Sequence, residues 1–534
     1  MTVKKISLSD KGELVRTVKK EIKITIVLDD DKPNTITKDE KETFVIVTHD
    51  FSATLMSTLL KNELIDGSFC GGRGDCGRCR VQFLKGATMP TALERNVMSA
   101  DELRQGYRLA CLARPKDDCV IKLALTGEKN AAIITDMIYV AQEDDQISQH
   151  NEGTVKRTTT VLNTGVFDMD ETIIAVDLGT TTIAMQLMEI GTGHIIDTYC
   201  EMNPQRCYGS DVLSRIKASC EGQREALQQL VVKVLKRGVD RFRMKSCHIS
   251  CMCIAGNTTM EHLLMGYDVL SLGKSPFTPV ELGLQEYQSA DWEFPVWVTP
   301  GISTFVGGDI VAGLYALNML PEGTASQVRM LIDLGTNGEM AITDGIEMVV
   351  TATAAGPAFE GGAGAGIIGS DMIANVAALL QRGVLDETGL LEEPYFTKGI
   401  MVGEPPVHMN NKDIRDLQMA KAAVRAGVEI LWKKLGCPEI GRVYLAGGFG
   451  YYLDVEAAFQ IGLLPEHMRG KVSAAGNTSL AGAYRIGCDL LQKRTEKAIL
   501  EQRLSSIASI NLARQEEFER LYVKHMDLSG GFSV

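Results

Sequence analysis

The chain repeats its polar loops, and in the same order. Ile174 to Thr182 reads IAVDLGTTT and Leu331 to Glu339 reads LIDLGTNGE, while Ala255 to Met260 reads AGNTTM and Ala475 to Leu480 reads AGNTSL. Packing alone repeats apolar residues, so repeated loop chemistry implies two halves built alike. The halves are unequally expanded, with 80 residues from Asp177 to Asn257 and 144 from Asp333 to Asn477. Apolar strand-like runs and helical stretches alternate from Thr172 to about Leu491, the pattern of an α/β fold. The 534 residues, 45% apolar, suffice for several cores.

Each first loop ends an apolar run with an acid. Asp177 is followed by Gly179, Thr180, Thr181 and Thr182, and Asp333 by Gly335, Thr336, Asn337 and Gly338. Glycine turns and hydroxyls offer donors to phosphate, and an acid at a strand end can hold Mg²⁺ through water. A third apolar strand, Val443 to Ala446, runs into Gly447, Gly448 and Gly450, where a flat adenosine can lie on the backbone. Two other glycine patterns fail on context. Gly364 to Gly369 fits a dinucleotide fingerprint with no strand before it, and Gly273-Lys274-Ser275 lacks the earlier glycine of a phosphate-binding P-loop.

Upstream, short β-branched runs at Glu21 to Val27 and Thr43 to Val47 flank a polar turn, a hairpin signal. A helix is predicted over Ala53 to Ile65, a strand at Arg80 to Leu84, a polar helical segment over Ala92 to Gln105 and a last strand at Cys119 to Leu125. Between helix and strand, Cys70, Cys76 and Cys79 make C-x5-C-x2-C, and Cys111 follows after 31 residues. Four thiolates suit an iron-sulfur cluster or zinc. The glycine-rich loop from Gly71 to Gly77 favours the cluster, because it lets backbone N–H groups face bridging sulfides. Cys119 and the Cys247, Cys251, Cys253 group read as buried core.

An excess of 68 acidic over 55 basic residues, formal charge −13, argues against nucleic acid or an anionic membrane as partner. No apolar run reaches the ~18 residues of a membrane span, and Met1 to Gly12 is not signal-like, so a cytoplasmic protein with reduced cysteines is expected. The eight histidines are dispersed and carry no site.

The cysteine stretch resembles the [2Fe-2S] ferredoxins over about residues 20 to 128, in the adrenodoxin-like spacing, with the strand order of a β-grasp domain. The loops of Asp177 and Asp333 and the Gly447 turn resemble the two phosphate motifs and the adenosine motif of the actin, Hsp70 and sugar-kinase (ASKHA) ATPases. Gly256-Asn257 and Gly476-Asn477 resemble that superfamily's two connecting segments. The implied architecture is an α+β β-grasp ferredoxin domain at 1–128, a linker at 129–168, a duplicated α/β actin-like ATPase at 169–492 and a charged helical segment at 493–534.

With Phe305 to Asp309 and Ala355 to Gly361, the whole arrangement is similar to the reductive activators of corrinoid proteins. That resemblance implies ATP-dependent return of a partner's Co(II) corrinoid to Co(I), with an upstream electron donor and, as an expectation, a homodimer. An acceptor potential below the donor's explains the ATPase, since each ~59 mV of deficit cuts the reduced fraction tenfold. The short stretch after the ferredoxin leaves little room for a separately folded middle domain. By the resemblance, Cys70, Cys76, Cys79 and Cys111 hold the cluster, Asp177 and Asp333 organise Mg²⁺ and water, and Gly179, Thr180, Thr181, Thr182, Asn257, Gly335, Thr336, Asn337, Gly338, Gly447, Gly448 and Gly450 hold ATP. Asp309 is either a third acid or a helix cap, and Thr351 to Glu360 is a candidate partner contact. An ATP-gated donor to a dehydratase and a small-molecule kinase with a redox-sensing domain are the alternatives.

Overall fold

The computed structural model describes residues 7–8, 14–15, 22–28, 43–50, 53–62, 64, 74, 79–123, 171–209, 211–245, 247–335, 337–355, 369–403 and 406–529. They belong to two units, 1–128 and 129–534.

In the first unit, Ile22–Leu28 (β1) and Thr43–His49 (β2) form the expected antiparallel pair. Ile22, Ile24 and Ile26 alternate inward along β1, the period of a half-buried strand. Leu55–Lys61 (α1) lays Leu55, Met56 and Leu59 on a sheet completed by Arg80–Lys85 (β3), Tyr107–Leu109 (β4) and Cys119–Leu123 (β5). The strand order is β2-β1-β5-β3-β4, with β1 and β5 parallel at the centre. The polar helix expected over 92–105 is two helices, Ala92–Val97 (α2) and Ala100–Arg104 (α3). Ser99 interrupts it by capping α3: Thr91 with Glu94 and Ser99 with Glu102 each complete a reciprocal capping box.

The second unit holds two six-stranded sheets. The first is built from Glu171–Leu178 (β6), Thr182–Glu189 (β7), Ile195–Met202 (β8), His248–Gly256 (β9), Gln285–Glu286 (β10) and Val296–Val298 (β11), in the order β8-β7-β6-β9-β11-β10. Its helices are Val212–Ala218 (α4), Arg224–Arg243 (α5), Thr258–Met265 (α6) and Gly308–Ala316 (α7). The second contains Val328–Leu334 (β12), Gly338–Thr343 (β13) and Met348–Thr353 (β14), a separate hairpin of Ile400–Val402 (β15) with Val407–Met409 (β16), then Ile440–Ala446 (β17), Val472–Gly476 (β18) and Ala508–Asn511 (β19). Its order is β18-β17-β12-β13-β14-β19. Helices Gly369–Gln381 (α8), Tyr395–Lys398 (α9), Asn411–Lys434 (α10), Gly447–Tyr452 (α11), Val455–Gln460 (α12), Thr478–Leu491 (α13), Lys497–Ser505 (α14) and Glu516–Lys524 (α15) complete it.

The duplication is visible in this topology. Strands β8-β7-β6-β9-β11 match β14-β13-β12-β17-β18, each with three antiparallel strands followed by two added in parallel. The closing helices are exchanged between halves. Ile310, Val311 and Leu314 of α7 pack with Leu331, Ala341 and Val350 of the second sheet. Leu480, Ala483 and Tyr484 of α13 pack with Ile173 and Ala175 of the first. At their crossing, a side chain on Gly482 would collide with the Ala312 carbonyl.

One equivalence expected from the sequence is corrected. Gly256-Asn257 follows β9, whose counterpart is β17, whereas Gly476-Asn477 follows β18, whose counterpart is β11. The true counterpart of the α13 entry is therefore the turn through Gly307 into α7. AGNTTM and AGNTSL are alike because both asparagines cap a following helix, Asn257 through the Met260 N–H and Asn477 through the Leu480 N–H. The segment expected as a charged helical tail is likewise more than helix. Strand β19 pairs in parallel with β14, and Leu500, Leu512, Leu521 and Leu528 enter the unit's cores.

Candidate functional site

Two of the four cluster cysteines lie among the described residues, and they meet. The Cys79 and Cys111 sulfurs are 3.3 Å apart, near the ~3.8 Å expected for two thiolates on one tetrahedral metal at ~2.3 Å. The scaffold fixes both. The Ala110 N–H donates to the Cys79 carbonyl at 2.8 Å, and the Met56 and Leu55 N–H groups donate to the Ala110 and Ala113 carbonyls, both at 2.8 Å. The buried Glu94 carboxylate accepts from the Leu109 N–H at 2.8 Å. Gly74 has φ +80°, and a side chain there would strike Leu112, so the loop requires glycine at this point. This donor set fits an iron-sulfur cluster. Cys70 and Cys76 lie outside the described residues. Cys119, Cys251 and Cys253 are buried as expected, whereas Cys247, just before β9, is only partly buried, and burial pushes the Cys119 thiol up to about 11.

In the second unit, both acids of the repeated loops are the penultimate residues of the central strands. Asp177 in β6 pairs with Ala255 of β9, and Asp333 in β12 with Ala446 of β17. Ligands of open α/β sheets bind at such carboxyl ends. The Asp177 carboxylate accepts from Asn477 Nδ2 at 2.9 Å and Ser479 Oγ at 3.1 Å, so the first half's acid is held by the second half's closing helix. Burial raises its pKa against these two donors. Asp309, in the first turn of α7, joins them as a third acid, while the helix cap is Gly307.

Burial and then the Asp177 charge push Asp309 up to about 7, and burial, Asp309 and Asp177 push Asp333 up to about 7. Glu339 and Glu261, both buried, are raised well above the carboxylate range by burial and by Asp309, Glu339 also by Asp333. Among the described residues no three acids lie close enough together to ligate a metal ion directly, so Asp177, Asp309 and Asp333, whose charges act on one another, suit a divalent cation held through water.

The remaining predicted residues surround these acids. Gly179 makes a reversal so tight that a Cβ would lie 2.7 Å from the Thr182 carbonyl. Thr180 Oγ1 accepts from Asn257 Nδ2 at 2.9 Å, and Thr181 and Thr182 lead into β7. The Gly335 N–H donates to the Asn337 carbonyl at 2.9 Å, and Gly338 opens β13. Gly447, at φ +80°, opens α11 against the Asp333 carboxylate with no room for a side chain, and Gly448 follows it. Gly450 instead packs against Leu445. Thr336 and the 356–360 part of the candidate partner loop lie outside the described residues, and Thr351 is buried in β14, its hydroxyl donating to the Ile510 carbonyl at 2.8 Å. Sequence reading missed Glu339, Glu261, Ser479, Asn203 and Arg215 as members of the site. Glu339 closes the LGTNGE echo and Ser479 lies in AGNTSL, so the repeats held a signal for those two.

Residues 36–116 match the 2Fe-2S iron-sulfur cluster binding domain. Residues 173–322 match the RACo middle region, and 327–365 with 363–531 match the C-terminal domain of RACo, the ASKHA domain. The middle region thus coincides with the first half of the duplicated body, and the family boundary falls between the two sheets. Corrinoid activation enzyme RamQ of Eubacterium limosum is 27% identical over 419 residues, 66% of this chain and 69% of its own. The [Co(II) methylated amine-specific corrinoid protein] reductase of Methanosarcina barkeri is 22% identical over 66% of this chain and 76% of its own. A solved reductive activator for corrinoid, iron-sulfur protein superposes with a TM-score of 0.60 at 23% identity, over 95% of this chain and 98% of that one.

Proposed function

The chain belongs to the reductive activators of corrinoid proteins, and from that premise we propose that it returns a methyltransferase system's corrinoid partner from Co(II) to Co(I) at the expense of ATP. The observation that carries this reading is the pairing, in one chain, of the Cys79 and Cys111 thiols at 3.3 Å with acids at both central strand ends of a duplicated body. Cys70, Cys76, Cys79 and Cys111 would hold a [2Fe-2S] cluster, which supplies one-electron reduction when bound.

The chain's own residues do the rest. Asp177, Asp309 and Asp333 would hold Mg²⁺, which would offset phosphate charge, and they orient the attacking water. The loops at Gly179 to Thr182 and Gly335 to Gly338 grip the phosphates from opposite halves, and Gly447 and Gly448 take the adenosine. Because Asn477 and Ser479 on α13 bind Asp177, nucleotide that engages Asp177 also acts on the exchanged helix. ATP drives the electron only through a difference in affinity between conformations, and that helix supplies a route for it.

The test is anaerobic. The reduced protein is mixed with a Co(II) corrinoid protein and the Co(I) absorbance followed with and without MgATP. Co(I) is expected with MgATP. No Co(I) from cognate corrinoid proteins, with the cluster intact and ATP being hydrolysed, would overturn the reading.

A further inference from the structure

Three consecutive carbonyls of the first phosphate loop are pulled to one side by groups that sequence reading did not assign. The Gly179 carbonyl accepts from Asn203 Nδ2 at 2.8 Å, the Thr180 carbonyl from Arg215 Nη2 at 2.5 Å, and the Thr181 carbonyl from the Asn203 N–H at 2.8 Å. A planar trans peptide points its N–H opposite its C=O. Anchoring the first two carbonyls therefore turns the Thr180 and Thr181 N–H groups away from the anchors.

Arg215 is fully buried and its guanidinium is fixed on every branch. Nε donates to the Gly209 carbonyl at 3.1 Å, Nη1 to Gln205 Oε1 at 3.3 Å and to Met260 Sδ at 3.0 Å. Its helix α4 is capped by Asp211, whose carboxylate accepts from the Ser214 N–H and hydroxyl at 2.8 Å each. Met260 lies on α6, whose cap Asn257 reaches the Thr180 hydroxyl. A fully buried cation costs several kcal/mol of desolvation, and this one stands directly behind the first phosphate loop, on the Thr180 carbonyl.

Resting on the ATP reading above, we infer that Arg215 is a positioning residue for the nucleotide's phosphates, acting through the Thr180 carbonyl. Its charge polarises the Thr180–Thr181 peptide, so that the outward N–H is a stronger donor to an anion. In a low-dielectric surround it also offsets the charge of phosphate drawn in close to the acids. Asn203 is its neutral companion on the preceding peptide.

Calorimetric titration of the full chain with MgATP, MgADP and adenosine tests this. Arg215→Met is expected to weaken MgATP and MgADP by about tenfold to a hundredfold, the span of one lost charge-assisted hydrogen bond, and to leave adenosine binding unchanged. Arg215→Lys should recover part of the loss, and in turnover the change should appear in KM more than in kcat. Unchanged MgATP affinity in a folded Arg215→Met would overturn the inference, as would an equal loss for adenosine, which marks a general structural role. If that variant does not fold, Asn203→Asp keeps the acceptor for the Gln205 N–H and removes the amide that donates to the Gly179 carbonyl and, at 3.8 Å, to Met260 Sδ. Its MgATP affinity should fall while adenosine binding persists, and an unaltered affinity would again sink the idea. A wild-type chain that binds no MgATP would overturn the nucleotide reading and this inference with it.

Discussion

The two strand-end aspartates differ in how cleanly they can be tested. Asp177 carries two hydrogen bonds from α13, so removing its carboxylate also loosens the exchanged helix and leaves buried donors unpaired, at ~1–3 kcal/mol. Asp333 faces Gly447 and the other acids, so Asp333→Asn removes charge with little change of shape. It is expected to cut ATP turnover about a hundredfold or more, the scale of losing a preorganised electrostatic group, while the visible absorption of the cluster is unaffected. Turnover within a few fold of wild type would remove Asp333 from the mechanism. Cys111→Ser is the complementary change, expected to bleach the visible spectrum and leave ATP hydrolysis intact. These residues were legible because chemistry fixes them in short motifs: an acid before a glycine turn, thiols at set spacing. Arg215 and Asn203 were not, because each acts through a backbone carbonyl more than 20 residues away, and a contact of that kind leaves no local pattern.

At the scale of elements, charge fastens β8 to α5 at two points, Arg237 on Glu201 and Arg241 on Asp197. Asp197 on β8 accepts from Arg241 Nη2 at 2.8 Å and Nε at 3.0 Å, and lies 3.2 Å from Lys245 Nζ. The Arg241 hydrogen bond foremost, working against burial and aided by Lys245, holds the Asp197 carboxyl down to about 2. Its unfolded value is ~3.9, so the folded protein binds the proton more weakly than the unfolded chain. The resulting stabilisation is complete above about pH 4 and is lost as pH falls through about 2. Asp197→Asn should therefore lower the urea midpoint at pH 7, with a gap that closes towards pH 2 and narrows in high salt, because Arg241 is half exposed. A gap independent of pH would mean the pair contributes through packing alone. The same scale explains the misplaced repeat. Sequence likeness between AGNTTM and AGNTSL reports a shared helix cap, a property of four residues, whereas equivalence between halves is set by strand order, which no window of that length contains.

For the whole molecule, the two halves of the ATPase body share one interlock while the first unit has a core of its own, drawn from residues 24 to 123. The interlock depends on Gly482, where α13 meets the Ala312 carbonyl of α7. In an exposed helix, glycine to alanine stabilises by ~0.5–1 kcal/mol. Here the sign reverses, because the obstacle to the new methyl is backbone and cannot rotate away. Gly482→Ala should lower the calorimetric transition of the body and reduce MgATP turnover, since α13 also carries the donors to Asp177. The loss of cluster absorbance on heating should stay at its wild-type temperature, because nothing in the first unit's core is touched. If both transitions fell together, the ferredoxin core would owe its stability to the ATPase body, and coupling between electron and nucleotide would have to be sought in a shared folding unit instead of in the exchanged helices.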